Sequence, residues 1–209
     1  IPSSLSNAYR KFDICGRDTA KKPEAQVAAA KDFISKATVK KTDLTVAFRD
    51  KGTEKARASA VGAALEAAGF KVTLKELPVA TYYTAIAVRG PGEPDVIQGS
   101  WGYDWAAATG IVLALLDGRT MTKTDAKSNY SRQNDSAIQK LFEATDSMTD
   151  VKKSDKALGD IEQKTIQDLA TVVPVYMQIA NSIFGSKVGG VQADGGYGTT
   201  SPAAAYIKK

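Results

Sequence analysis

Ser100-Trp101-Gly102-Tyr103-Asp104-Trp105 places two indoles, a phenol and a carboxylate within six residues, and these are the chain's only tryptophans. A carboxylate flanked by aromatic rings can anchor an ammonium group. The ion pair supplies the attraction and the rings supply shaped apolar area. The run follows a strand-like stretch, Asp95 to Gly99, and precedes an apolar, helix-like stretch from Ala106 to Leu116. Strand ends in α/β proteins are where ligands are usually held. Trp101 and Asp104 are three residues apart, a spacing that can aim both into one crevice. The same residues fit a second reading, in which the indoles are core and Asp104 caps the following helix.

Other chemistries find less support. Histidine is absent, which excludes Ser-His-Asp and Cys-His catalysis and removes the commonest zinc ligand. Cys15 is the single cysteine, so no internal disulfide forms; it is either a buried thiol or paired with something outside this chain. A hydrolase would need paired carboxylates, for which Asp95 and Asp104 are the candidates. No residue is assigned as catalytic, no metal site is expected because the Asp spacing is not that of a calcium loop, and no cofactor is expected. The glycines from Gly189 to Gly198 match neither phosphate-binding nor dinucleotide-binding patterns. A net charge of +5 invites nucleic acid, but the lysines occur as scattered pairs among acids, as on a solvated surface, and nucleic acid is not expected as a partner.

The elements around the aromatic run read as α/β. The 209 residues suffice for one large domain or two small ones. A helix starts near Pro23, with Val27, Ala30, Ile34 and Ala37 at helical spacing. Leu44, Val46 and Phe48 alternate along a strand. A second helix is expected from Glu54 to Ala68, with Ala60, Val61, Ala64, Leu65 and Ala68 as its apolar stripe and Gly69 at its end. Val72 and Leu74 begin another strand, so strand, helix and strand imply a parallel crossover. A short helix carries Tyr82, Tyr83 and Ile86. Beyond residue 116, Asn129-Tyr130-Ser131 reads as extended, helices are expected at 135–147 and 151–169, and Val172 to Ala180 reads as a buried strand with Pro174 near its start or edge. The tail from Gly185 to Ser201 reads as a polar loop. No stretch approaches the length a membrane helix needs.

The ordered set resembles the C-terminal part of the family 5 extracellular solute-binding proteins, the peptide- and nickel-type receptors of ABC importers. It comprises Ile1-Pro2-Ser3-Ser4, Leu44-Thr45-Val46-Ala47-Phe48, Leu65 to Val72, Ser100 to Trp105, Leu115-Leu116-Asp117-Gly118-Arg119, Asn129-Tyr130-Ser131, Asn134-Asp135 and Val173-Pro174-Val175-Tyr176. The resemblance implies an α/β fold with a mixed sheet and flanking helices, one lobe of a two-lobed periplasmic-binding-protein type II architecture. Residues 1–180 would be the second lobe, and 181–209 a return segment toward the first. The chain would then be a fragment, an expectation that the first residue, Ile1, shares. The implied function is capture of a peptide or other small amine-bearing solute, with the membrane permease and the missing N-terminal lobe as partners. The implied location is extracellular or periplasmic, with lipid anchoring left open. In peptide-binding members the acid of the Trp-x-x-Asp motif meets the ligand's α-amino group; here that is Asp104. Trp101, Gly102, Tyr103, Trp105 and Asn129 complete the expected ligand-binding set. There are two departures: Trp105 is followed by Ala106-Ala107-Ala108 where members often carry proline and a further acid or serine, which bears on the loop's shape and so on the ligand class, and Asn134-Asp135 is followed by Ser136 where they carry proline. Two other classes stay open: an interaction domain that has lost transport ligand binding, and the Asp95/Asp104 hydrolase.

Overall fold

A computed structural model describes residues 1–12, 22–38, 41–177, 181–194, 199–201 and 203–208. Cys15 lies outside these, and so do both expectations for its thiol. The chain divides into two compact units. One comprises Ile1–Gly16, Trp101–Thr120 and Ser131–Lys209; the other comprises Arg17–Ser100 and Met121–Tyr130. We call the first the helical unit and the second the sheet unit.

The sheet unit is built on the expected crossover. Strand β1 (Asp43–Arg49) lies between β2 (Lys71–Leu77) and β3 (Val96–Ile97), and both pairings are parallel. Val46 sits opposite Leu74 on one side and Val96 on the other. Alternate β1 side chains go to opposite faces, as the pleat requires. Val46 and Phe48 pack with Ala58, Leu65, Val72 and Val96, while Ala47 packs with Tyr82, Ile86 and Ile97. Helix α1 (Pro23–Lys36) begins at the expected proline, and α2 (Glu54–Ala68) ends as expected. Gly69 takes φ 111°, a left-handed cap in which its N–H donates to Glu66 O. Helix α3 (Tyr82–Ala87) carries the two tyrosines.

The apolar stripe expected for α2 is displaced. Ala60 and Ala64 are exposed, and the buried positions are Glu54, Ala58, Gly62 and Ala68. An alanine-rich helix offers little contrast between its faces, so periodicity alone does not fix its rotation. Gly62 marks the inner face: a β-carbon there would sit 3.4 Å from both Leu74 and Val72 side chains. Asn129-Tyr130-Ser131 forms turns rather than an extended piece, with Asn129 N–H donating to Ala126 O at 3.1 Å.

The helical unit packs α4 (Thr109–Leu116), α5 (Ser136–Asp146) and α6 (Val151–Lys164) around Ala108, Val112, Leu116, Ile138, Phe142, Leu158 and Ile161. Asp135 and Asp150 cap the last two helices, each accepting two backbone N–H bonds. A π turn (Thr165–Leu169) continues α6, so the expected helix at 151–169 is found in two parts. Leu115 to Arg119, quoted above for their resemblance, close α4. Arg119 donates to Asp117 Oδ2 at 2.8 Å and to Asp146 Oδ2 at 2.5 Å.

Two expectations fail here. Of the strand expected at 172–180, residues 178–180 lie outside the described residues and 172–177 form no strand, and Thr171, Val173, Val175, Tyr176 and Met177 are exposed. Val172 packs on the unit's core, but among the described residues nothing pairs with this segment as a neighbouring strand. Its apolar residues give the composition of a buried strand without the partner that would bury it. The tail is more ordered than its glycine content suggests. It forms two antiparallel pairs, β4 (Val188–Gly189) with β7 (Tyr206–Ile207) and β5 (Gln192–Asp194) with β6 (Thr199–Ser201). Parallel and antiparallel strands therefore both occur, in separate small sheets. The α/β class with flanking helices holds.

Candidate functional site

The aromatic run does not pass directly into a helix. Helix α4 begins at Thr109, and residues 101–108 are a folded loop. Its shape comes from one carbonyl. Gly110 O accepts from Asp104 N–H at 3.1 Å and from Trp101 Nε1–H at 3.4 Å. Ala107 N–H donates to Trp105 O at 2.7 Å, tightening the bend. The close approach requires glycine at 110, because a β-carbon there would lie 2.8 Å from Trp105 O and 3.0 Å from Trp105 N. Asp155, a buried acid on α6, accepts from Ala108 N–H at 3.3 Å. It thereby serves an unpaired donor at the start of α4.

This fold-back separates the loop's side chains. Trp101 and Tyr103 are half-buried, and Gly102 is exposed. Trp105 is 53% exposed, with its indole N–H donating to Thr109 Oγ1 at 2.7 Å. Asp104 is exposed. Its carboxylate makes no hydrogen bond or ion pair with any described residue, so it is not the cap of α4. The loop thus presents a fixed carboxylate beside aromatic surface, an arrangement that can attract an ammonium group. Asn129, the remaining member of the expected set, lies in the sheet unit and is fully buried.

Asp95, the proposed catalytic partner of Asp104, is engaged elsewhere in the sheet unit. It pairs with Lys41 and accepts from Thr45 N–H at 2.9 Å. Partial burial opposes its charge, but Lys41 and the Thr45 amide outweigh that and hold the carboxyl below its ordinary pKa. A general acid at neutral pH needs the opposite shift.

Sequence reasoning passed over a polar cluster at the carboxyl ends of β1 and β3. Arg49 grips Glu54 through Nε at 2.9 Å and through a second bond from Nη2. Its guanidinium carbon lies 5.2 Å from the Tyr83 ring centre and 5.8 Å from that of Tyr82. The Tyr82 hydroxyl is 3.1 Å from Ala47 O and 2.7 Å from Gln98 O, tying β1 to the end of β3. The Tyr83 hydroxyl donates to Ser100 O at 3.1 Å, and Ser100 N–H donates back to it at 3.3 Å. Tyr83 and Tyr130 meet with ring centres 5.4 Å apart, beside an open cleft of about 360 Å³ that Asp125 and Lys127 also line. The available signals were Arg49 at a strand end and adjacent tyrosines on a short helix. Asp155 had no local signal, because its partner is remote in sequence. No helix among the described residues is long and apolar enough to cross a membrane, and they contain no cluster of three or more acids, cysteines or histidines suited to a metal.

No protein-family model and no curated protein matches the sequence. Solved structures do. Clavulanic acid biosynthesis oligopeptide binding protein 2 aligns over 97% of this chain at a TM-score of 0.76 and 20% identity. The murein tripeptide binding protein MppA of Escherichia coli aligns over 91% at 0.70 and 21% identity. OppA of Haemophilus influenzae, solved in complex with RPPGFSPFR, aligns over 91% at 0.67 and 17% identity. The chain spans only 37%, 36% and 36% of those proteins, respectively. At such identities the likeness establishes the fold. It is that of one lobe of peptide-binding proteins, as the sequence resemblance implied.

Proposed function

We propose that this chain is the second lobe of a two-lobed, family 5 solute-binding protein that captures a peptide or similar amine-bearing solute outside the cell membrane and delivers it to an ABC permease. The observation that carries this reading is Asp104, an exposed carboxylate without a partner among the described residues, on a loop held by Gly110 and Asp155. A ligand ammonium supplies the missing counter-charge. Closure of a first lobe over the loop removes water and strengthens that attraction. Trp101, Tyr103 and Trp105 supply contact area, and no chemistry on the solute is required.

The segment at 171–177 supports a covering lobe independently of Asp104. Val173, Val175 and Met177 are 58%, 77% and 60% exposed. Together with Val172, they make no backbone hydrogen bond among the described residues. An exposed apolar segment of this kind suits burial against a covering body of protein. In this reading it lies at the end of the second lobe, just before the return segment at 181–209.

The test is calorimetric titration of trialanine into the full-length protein. The wild type is expected to bind, and Asp104→Ala to lose about 100-fold or more in affinity, the scale of removing one partner from a desolvated charge pair. Equal affinities would remove Asp104 from the site.

A further inference from the structure

The chain passes from the sheet unit to the helical unit at Ser100–Trp101 and again at Tyr130–Ser131. Both departure points rest on one side chain. The Tyr83 hydroxyl exchanges hydrogen bonds with the Ser100 backbone, donating at 3.1 Å and accepting at 3.3 Å, with Ser100 Oγ 3.2 Å away. The Tyr83 ring lies against Tyr130 at 5.4 Å, tilted by 33°. Tyr83 is itself held from behind. Tyr82 packs edge-on against it at 5.3 Å, and the Arg49 guanidinium lies over its ring while donating to Ser100 Oγ at 3.3 Å. Arg49 is fixed by the enclosed carboxylate of Glu54.

We propose that Tyr83 is a positioning residue for the Trp101–Asp104 loop. Its hydroxyl fixes where that loop starts, and its ring fixes the second departure point. Gly110 and Asp155 set the loop's internal shape, whereas Tyr83 sets the point from which it leaves, and affinity falls when freedom at that point must be lost on binding. The inference rests on the loop being the ligand site, but the buckle itself is measurable without a ligand.

The experiment uses amide exchange and indole NMR signals of the full-length protein without ligand, followed by trialanine titration. Tyr83→Phe keeps the ring and removes the hydroxyl. The Ser100 amide is expected to exchange about fivefold faster, the scale of one net hydrogen bond. The Trp101 indole signal should broaden or shift, while the Ala47 amide in β1 and the Tyr130 turn stay protected. Tyr83→Ala should loosen both Ser100 and Tyr130. Trialanine affinity should fall several-fold in Tyr83→Phe with the melting temperature nearly unchanged.

An unchanged Ser100 amide in Tyr83→Phe overturns the buckle. Equal acceleration of Ala47 overturns it too, since that reports general destabilisation. A loosened Ser100 with unchanged trialanine affinity overturns the positioning role. If Tyr83→Phe loosens Ser100 while the wild type shows no trialanine binding, the peptide reading has failed and the buckle has not.

Discussion

The carboxyl edge of the β2-β1-β3 sheet and the loop at 101–105 are made of similar parts: an acid, a pair of large aromatics and small polar residues. They use them in opposite ways. At the sheet edge Glu54 is enclosed and saturated by Arg49, and Arg49 also meets two tyrosine rings and Ser100. In the loop the backbone and indoles find partners in Gly110 and Thr109, and the carboxylate of Asp104 finds none among the described residues. A charge that is buried is kept only when paired, because desolvation is otherwise too costly. A charge left in water carries no such obligation and remains available to a ligand. The first arrangement builds the scaffold, and the second leaves an acid exposed.

The sharpest way to break the contrast is to remove the scaffold acid. With side chains only 15% and 9% exposed, Arg49 and Glu54 form a largely enclosed pair. Glu54→Ala leaves the guanidinium facing aromatic rings without its counter-ion. We expect a loss of about 3 kcal/mol in urea unfolding, toward the low end for broken buried pairs. A loss below about 0.5 kcal/mol would place this pair among ordinary surface pairs and erase the distinction.

Gly110→Ala should have the next largest effect, on the other side of the comparison. The added β-carbon would press on the Trp105 backbone at 2.8 Å, so loop or helix must shift. Overpacking of this kind costs about 1–3 kcal/mol. Chemical denaturation should show that loss, and the Trp101 indole should lose its bond to the Gly110 carbonyl. An unaltered indole spectrum would mean that the loop's shape does not depend on this contact.

These two residues also show how far the sequence could be read. The crossover strands, the start of α1 at Pro23 and the bounds of α2 were legible because alternation, proline and capping glycine are local signals. The aromatic run was legible as a candidate site because its residue types are unusual together. Its conformation was not. Ala106-Ala107-Ala108 read as helix, yet these residues are the end of a loop whose shape depends on Gly110 and on Asp155, 47 residues beyond Ala108. Glu54 read as a helix start and proved to be half of a buried pair set by Arg49 across a turn. Val172 to Met177 had the composition of a buried strand, but burial depends on a partner strand that composition does not supply.

A smaller effect belongs to Asp95, a partly buried acid whose partner Lys41 is exposed. Lys41 and the Thr45 amide overcome the opposing effect of burial and keep its folded pKa below the ordinary value of 3.8. The pair therefore adds stability above that value, and the contribution is lost as pH falls through the lower folded pKa. Asp95→Asn should be less stable than wild type at pH 7, and the gap should close on acidification below pH 3.8. Melting temperatures across pH 2.5–7 measure this. A constant gap would assign the loss to the Thr45 hydrogen bond rather than to charge.

The smallest expected stability effect is the most informative about the loop. Asp104 is exposed, and its side chain has no protein partner among the described residues. Only its backbone N–H contributes to the loop, by donating to Gly110, and alanine keeps that donor. Asp104→Ala should therefore change unfolding free energy by less than about 0.5 kcal/mol, as for surface positions away from caps and pairs. If it destabilises by 1 kcal/mol or more on the scale of a lost helix cap, Asp104 is part of the architecture after all. A neutral result, joined to a loss of trialanine binding, would separate two uses of an acid within one chain: Glu54 holding the fold together, and Asp104 meeting the ligand.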